Sequence, residues 1–216
     1  IQCTYTPDKT SISLTAGTDV TLAGKSPFYK SAIATDNIAR LPNETVLPAT
    51  VNIDAGNNIY VLNNFTLASS PTGNLKLLAG GDVTGMGTSS STQKPTILVS
   101  DIAPESWYGL FSITQTKDEN GAWITARMTN RHGVYDPLDQ SMSGGPVHRT
   151  DTTNTPIEIH ADEDIKNLNV LFPKEAEVTA GRNIVDIKYE GQNMNPDDIS
   201  MIRAGRNISM QYAKAS

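Results

Sequence analysis

Apolar and polar residues along this chain follow a short pattern that recurs six times. It runs apolar residue, any residue, Ala, Gly or Asp, any residue, Asp or Asn, and then Ile or Val. The copies occupy residues 14–20, 53–59, 77–83, 159–165, 178–184 and 202–208. Two pairs of neighbouring copies, Ala55 to Ala79 and Ala180 to Ala204, are separated by 24 residues. A period near 20 to 25 residues is typical of a solenoid, in which each repeat packs on the next.

The segments that flank each Ala alternate between apolar and polar residues, as in 11–14 and 157–159. An alternation of period two is the signature of a β-strand. Between the flanks lies a short corner of Gly, Asp or Asn, where we expect Gly because it adopts positive φ without a Cβ clash. Helix signals are scarce and Thr, Ile and Val are common. The pattern therefore predicts an all-β fold, a parallel β-helix whose coils stack.

Stacked coils place equivalent positions above one another at the strand spacing of about 4.8 Å. Asn183 and Asn207 are then expected to form a ladder of side-chain amide hydrogen bonds. Arg182 and Arg206 stack in the same way, and like charges opposite each other are unfavourable. We expect these arginines to point into solvent or to pair with carboxylates such as Asp186 or Asp198.

The repeat divides the chain into three parts. Residues 1–90 and 157–216 carry the copies and are predicted to be β-helix coils, whereas 91–156 lack the pattern and are predicted to be an insertion. Two β-prone runs, 111–115 and 122–126, flank Asn120-Gly121, which is a strong hairpin signal. We expect at least one antiparallel β-hairpin here, folded against the side of the solenoid.

Composition narrows the class of protein. The net charge of −6 and pI near 5.0 argue against a nucleic-acid partner, which needs a basic face. Charged residues make up only 19%, and Thr, Ser and Asn supply much of the polarity, as is typical of a secreted β-solenoid. Cys3 is the only cysteine, so no internal disulfide forms. No apolar run is long enough for membrane insertion.

Because the chain begins with Ile1 and the repeat continues almost to its end, we expect a piece of a longer protein.

The stretch IHADEDIKNLNVLFPKEAEVTAGRNIVDI, with RAGRNI at 203–208, resembles the filamentous haemagglutinin-like large exoproteins of Gram-negative bacteria. The resemblance covers 157–216 best and 11–84 fairly, and does not extend to 96–156. It implies a right-handed parallel β-helix, secretion through an outer-membrane transporter (two-partner secretion), and a place outside the cell or on the bacterial surface. It also implies a role in adhesion, or in carrying a distal toxin.

The aromatic residues of the insertion are the candidate binding residues. Aromatic side chains offer an apolar face and, in Trp and Tyr, a polar tip, which suits stacking on sugars or on a receptor. Packing of the insertion onto its scaffold is the alternative role for the same side chains. The candidates for a glycan or receptor site are Trp107, Tyr108, Trp123 and Tyr135.

Catalytic and metal-binding patterns are weak. Asp162-Glu163-Asp164 is a run of carboxylates at a corner, which we interpret as a solvated turn because Ca²⁺ needs six or more oxygen ligands. The three histidines lack zinc spacing, so we expect neither metal nor cofactor. Arg131-His132 with Asp136 is the one local cluster of the kind that glycan-cleaving enzymes use. We therefore predict a protein that is not an enzyme.

The function predicted from the sequence is a structural and adhesive segment of a secreted bacterial surface exoprotein. In this interpretation a rigid shaft carries an insertion that binds a host or neighbouring cell. One alternative is a glycan-binding or glycan-cleaving β-helix similar to a tailspike or a polysaccharide lyase. A second alternative is the scaffold segment of a polymorphic toxin.

Overall fold

β-strands are the main secondary structure of the described residues. This computed structural model describes residues 10–23, 44–86, 94–101, 115–117, 123–125 and 146–209. Within these ranges the only helix is a 3₁₀ turn at Val147–Thr150. The strands in chain order are β1 (Ser11–Ala16), β2 (Val20–Leu22), β3 (Glu44–Leu47), β4 (Thr50–Ala55), β5 (Ile59–Val61), β6 (Asn64–Leu67), β7 (Asn74–Ala79), β8 (Val83–Gly85), β9 (Thr96–Val99), β10 (Gln115–Lys117), β11 (Trp123–Thr125), β12 (Ile157–Ala161), β13 (Ile165–Lys166), β14 (Asn169–Phe172), β15 (Ala176–Ala180), β16 (Asn183–Val185), β17 (Lys188–Gly191), β18 (Met201–Ala204) and β19 (Asn207–Ser209).

Seventeen of these strands form three parallel sheets. The first sheet has the order β1-β4-β7-β12-β15-β18, the second β2-β5-β8-β13-β16-β19 and the third β3-β6-β9-β14-β17. The chain visits the first, second and third sheets in turn and then returns to the first. We call each pass a layer, so that β1 to β3 form layer 1 and β18 with β19 form layer 6. The prediction of an all-β fold is confirmed, and the strands within each of these three sheets pair in parallel.

Three kinds of corner connect the sheets. The first corner, which contains the Gly, Asp and Asn residues of the repeat, joins the first sheet to the second. The second corner joins the second sheet to the third, and the third corner joins the third sheet to the first strand of the next layer. In described layers the third corner is short, except between β9 and β12, where residues 100–156 intervene.

The copies of the repeat lie in register. The alanine of every copy is paired with the alanine of the next, in the order Ala16, Ala55, Ala79, Ala161, Ala180 and Ala204. The apolar residue two positions earlier is buried in layers 2 to 5, as Ile53, Leu77, Ile159 and Val178. Burying a side chain of this size contributes about 1.5–3 kcal/mol. The apolar faces of all three sheets meet in one continuous core.

Glycine is used at the first corner for a reason other than the one expected from the sequence. None of the glycines at this corner has a positive φ, so that expectation is wrong. Instead, a Cβ on Gly80 would lie 2.5 Å from the carbonyl oxygen of Gly56 in the layer below, and one on Gly181 would collide with the layer beneath it. Positive φ occurs at the second corner, at Asn167 and Asp186, both with φ of 58°. Asn and Asp tolerate this left-handed conformation better than other non-glycine residues.

The long third corner leaves the sheets intact. β7 pairs directly with β12, and β9 with β14, although 100–156 lie between β9 and β12. β9 itself falls within the segment 91–156 and belongs to the third sheet, so the chain leaves the layers only after Val99. β10 and β11 form the antiparallel hairpin around Asn120-Gly121, with Lys117 opposite Trp123.

No helix in the described ranges has the length and apolar character needed to cross a membrane.

Candidate functional site at the third corner

Most of the residues predicted to bind a ligand fall outside the described part of the chain. Trp107, Tyr108 and Tyr135 are among them. Trp123 begins β11, where its backbone is paired with Lys117. The aromatic platform for a glycan or receptor therefore stays a prediction. The cluster at 131–136 also lies outside the described residues.

Buried polar side chains concentrate at the third corner, where 100–156 leave and rejoin the layers. Burial of a polar group is costly unless the group is hydrogen-bonded, so such a concentration identifies a specialised region. Of the seven buried polar or charged residues in the described ranges, all but Thr66 lie at this corner. They are Ser69, Ser70, Ser100, Asp101, His148 and Lys174.

Asp101 and His148 form a fully buried pair that connects the two ends of the excursion. Asp101 follows β9, and His148 lies in the 3₁₀ turn 47 residues later. The backbone N–H of His148 donates to Asp101 Oδ1 over 2.9 Å, and His148 Nδ1 is 2.8 Å from the same oxygen. The N–H of Val147 also donates to the Asp101 carbonyl oxygen over 3.2 Å. Oδ1 of Asp101 therefore contacts both the backbone N–H and the ring of His148.

The chemistry of this pair is limited by its burial. An Asp that orients a His and leaves Nε2 free is the arrangement of a general base. His148 Nε2 and Asp101 Oδ2 have no hydrogen-bond partner among the described residues. However, both side chains are 0% exposed, whereas a general base must reach the proton that it removes. The geometry fits an anchor that holds 146–148 against the end of β9.

A buried ion pair adds a second anchor beside the first. Asp151 follows the 3₁₀ turn, and its N–H donates to the His148 carbonyl oxygen over 3.0 Å. Its carboxylate is 2.7 Å from the Nζ of Lys174, and the two side chains are only 6% and 7% exposed. Burial alone raises the pKa of Asp151, but hydrogen bonds from Lys174 and Thr153 outweigh it and hold that pKa below its usual value. Lys174 lies in the third corner of layer 4, so this pair connects the excursion to the following layer.

The first corner carries a ladder of hydrogen bonds between layers. At each step the side-chain oxygen of an Asp or Asn accepts the backbone N–H of the equivalent residue in the next layer. The pairs run from Asp19 to Asn58, Asn58 to Asp82, Asp82 to Asp164 and Asp164 to Asn183, over 2.8 to 3.0 Å. The Asn207 amide donates to Asn183 Oδ1 over 3.1 Å, which confirms the predicted asparagine stack.

Charges at this corner are balanced locally. Arg182 pairs with carboxylates, as expected, but its partners are Glu163 at 2.9 Å and Asp164 at 3.2 Å rather than Asp186 or Asp198. The reason is geometric. Arg182 lies at the first corner of layer 5, and Glu163 and Asp164 lie at the same corner of layer 4, directly below it. Burial raises the pKa of Asp164, but hydrogen bonds from Asn183 and the charge of Arg182 outweigh this and lower it.

Lys166 completes the charged group at the first corner. Its Nζ is 2.7 Å from Asp82 and 3.6 Å from Asp164. The hydrogen bond to Asp82, assisted by both negative charges, raises the pKa of Lys166 in spite of its partial burial. Both cations are thus paired with carboxylates of this corner, which favours a structural role over recognition of a charged ligand.

Other candidate ligand sites are weak in the described residues. No group of three or more His, Cys, Asp or Glu side chains in these ranges could hold a metal ion. A small cavity in the interior of layers 1 to 3 is lined only by Leu, Val, Ile and Phe side chains, which offer no hydrogen bond to a polar ligand.

No protein-family model, curated protein or solved structure matches this chain.

Sequence reasoning did not identify the third-corner anchors. Asp101 and His148 are 47 residues apart, and Asp151 and Lys174 are 23 apart, so no local motif joins them. A weak signal was present, because Ser69-Ser70 and Ser100-Asp101 each follow a short β-prone run. Recognising those runs as a third strand of each layer would have aligned the polar residues that follow them.

Proposed function

We propose that the chain is a shaft segment of a secreted bacterial surface exoprotein of the filamentous haemagglutinin-like type. In this proposal the excursion at the third corner is a side-mounted module that binds a glycan or receptor on a host or neighbouring cell. The sheets form the support, and Trp107, Tyr108, Trp123 and Tyr135 supply the binding surface.

The shaft is a right-handed parallel β-helix in this proposal. Parallel strands need crossover connections, and connections between parallel strands of one sheet are right-handed in about 98% of cases. Each layer adds one strand to every sheet, and its apolar face packs on the layers above and below. Such an arrangement gains length without changing its cross-section, which suits a rigid spacer.

The observation that carries the proposal is the anchored excursion. β12 adds to β7 as regularly as β15 adds to β12, so the first sheet continues without a break across the excursion. The base of the excursion is held by the Asp101 to His148 contacts and by the Asp151 to Lys174 ion pair. Fixing both ends of a loop on a rigid support reduces the conformational entropy lost when the loop binds a partner.

Secretion through an outer-membrane transporter is part of the same proposal. Its support is the resemblance of the repeat to that class of exoprotein, together with the acidic composition and a single cysteine. A chain without disulfides can cross a pore unfolded and form its layers afterwards.

The test compares the full chain with a variant in which 102–145 are replaced by a short Gly/Ser linker. The Val147 N–H donates to the Asp101 carbonyl oxygen over 3.2 Å, so a linker of about four to six residues closes this corner without strain. Both proteins are applied to a glycan array and to intact cells, and far-UV circular dichroism checks that the sheets persist.

We expect the full chain to bind and the linker variant to lose binding while keeping its β-sheet spectrum. A full-length Trp107→Ala, Trp123→Ala variant serves as the matched control, since it keeps the excursion and removes two aromatic faces. Equal binding by the linker variant would show that the layers themselves bind and would overturn the side-mounted module. Failure of the full chain to bind either glycans or cells would contradict the adhesive role.

A further inference from the structure

The third sheet buries side chains on its outer face, although the apolar core lies on its other side. Alternate residues of a strand point to opposite faces of a sheet. In β9, Ile97 and Val99 belong to the core, so Leu98 between them points outward. Leu98 is nevertheless only 8% exposed, and it does not belong to that core. Thr66, the outward residue of β6, is paired with Leu98 and is 1% exposed. A strand cannot cover its own outer face, so another part of the chain lies over these two strands.

The outer faces of the other two sheets are not covered in this way in the same layers. In the first sheet Asp54 is exposed and Lys76 is half-buried. In the second sheet Tyr60 and Thr84 are both half-buried. Burial of the outer face is therefore specific to the third sheet and does not follow from the stacking of the layers alone.

Exposure of this outer face decreases along each strand toward the third corner. At the second-corner end, Asn64 in β6 is exposed and Thr96 in β9 is half-buried. Just beyond the third-corner ends of the same strands, Ala68 is 8% exposed and Ser100 is 0% exposed. The part of the chain that covers this face therefore lies close to the third corner.

The cover also ends within the stack. Leu171 in layer 4 is paired with Leu98 and is half-buried, and Glu190 in layer 5 is paired with Leu171 and is exposed. Burial is thus greatest in layers 2 and 3, and the excursion leaves the layers at the third corner of layer 3, directly after Asp101. The other long connection, 24–43, joins β3 in layer 1 from the second corner, at the opposite end of the strands.

We propose that the outer face of the third sheet at Thr66, Leu98 and Leu171 is the seat on which 102–145 pack. Three neighbouring strands span about 10 Å at a spacing of about 4.8 Å, which a segment of this length covers easily. The seat is mainly apolar, and the segment contains apolar residues besides the four aromatic residues assigned to binding, namely Ile102, Leu110, Phe111 and Ile113. The seat determines the side of the shaft from which the excursion projects and leaves the outer faces of the first and second sheets free.

Photo-cross-linking in the intact chain identifies the segment that covers the seat. Cys3→Ser removes the only cysteine, and Leu171→Cys then places a single thiol at the half-buried margin of the seat, to which a benzophenone maleimide is attached. Thr84→Cys, on the outer face of the second sheet, is the matched control. We expect peptides from 102–145 to be cross-linked to position 171 and not to position 84, as mass spectrometry after proteolysis would identify.

Thiol labelling measures the protection that the segment gives to the seat. Leu98→Cys in the Cys3→Ser background is compared between the full chain and the variant in which a short Gly/Ser linker replaces 102–145. A buried thiol reacts only when the protein opens locally, so we expect labelling at position 98 to be at least about tenfold faster in the linker variant. The labelling rate of Thr84→Cys should be the same in both proteins.

Two results would overturn the proposal. Cross-links from position 171 only to 24–43 or to 146–156, or the absence of any cross-link to 102–145, would exclude this segment as the cover. Unchanged protection of position 98 in the linker variant would show that the residues kept in that variant cover the face. If the linker variant loses its β-sheet spectrum, cross-linking in the intact chain decides alone. Neither measurement uses a ligand, so its outcome is distinguishable from the outcome of the binding test.

Discussion

Replacing Lys174 with Met removes one half of the buried ion pair at the base of the excursion. At 2.7 Å the direct attraction between Lys174 and Asp151 is about 6 kcal/mol for an effective dielectric constant of 20. Most of this is offset by the cost of removing both charges from water. The substitution itself leaves a buried carboxylate without its counter-ion, which typically costs about 3–5 kcal/mol.

We expect the lower end of that range, about 3 kcal/mol of unfolding free energy. Asp151 keeps two other hydrogen bonds after the substitution, from the backbone N–H of Thr153 over 2.8 Å and from its hydroxyl over 2.6 Å. Adding Asp151→Asn to Lys174→Met removes the stranded charge, so the double variant should be more stable than Lys174→Met alone.

Lys76→Met is the matched control. Lys76 is 2.8 Å from Glu158, nearly the same distance, but these side chains are 44% and 33% exposed. Exposed pairs contribute about 0.2–1 kcal/mol, so this substitution should cost less than about 1 kcal/mol. Urea unfolding followed by far-UV circular dichroism gives the loss of unfolding free energy for both variants. The slope of the free energy against urea concentration is compared between variants as a check.

The pH dependence provides an independent check. The folded pKa of Asp151 lies below its usual 3.8, so its stabilising contribution is present above pH 3.8 and is lost as the pH falls through the folded value. The difference in unfolding free energy between the unmodified protein and Lys174→Met should therefore become smaller in acid. Equal costs for Lys174→Met and Lys76→Met at neutral pH would refute the argument from burial.

Three further substitutions test the packing of the layers. Gly181→Ala should cost about 1–3 kcal/mol because the added methyl group collides with the backbone below, whereas Gly17→Ala meets nothing within 4 Å and should be nearly neutral in thermal melts. Asp164→Asn keeps a hydrogen-bond acceptor but removes a carboxylate whose pKa is lowered in the folded protein. It should therefore destabilise the protein at pH 7, and this cost should vanish in acid; a cost independent of pH would contradict this. Ile184→Ala should cost about 2–5 kcal/mol in urea unfolding, clearly more than Ile208→Ala at the equivalent position of the next layer, which is half-exposed, and equal costs would contradict this difference in burial.

The sequence predicted the repetitive part of the fold well, because each copy of the repeat contains the signals for its own strands and corner. Alternating residues identified the strands of the first sheet, and equal spacing identified which residues stack, as with Asn183 and Asn207. The third strand of each layer was harder to find. β9 has both faces buried over most of its length, so its residues show no alternation, and it was grouped with the insertion.

Long-range pairing explains the remaining errors. The partner of Arg182 depends on which acidic residues lie in the layer below, and the separation of 19 residues from Glu163 is visible only once the layers are aligned. The same is true of Asp101 and His148, whose residue types are ordinary in isolation. The role of glycine was misassigned because close approach between layers cannot be distinguished from positive φ in one sequence.

The long third corner has a consequence for the order of folding. Adding β12 to the stack closes the 57-residue connection that follows β9 (100–156), whereas adding β15 closes only the three-residue connection that follows β14 (173–175). The loop-closure cost grows as 1.5 RT times the logarithm of length, so the first step costs about 2–3 kcal/mol more. Layers 1–3 and layers 4–6 should each assemble before they join, with the joining step rate-limiting. Shortening 102–145 to a linker should then accelerate refolding while leaving the unfolding rate of the sheets almost unchanged, as stopped-flow fluorescence or circular dichroism would measure.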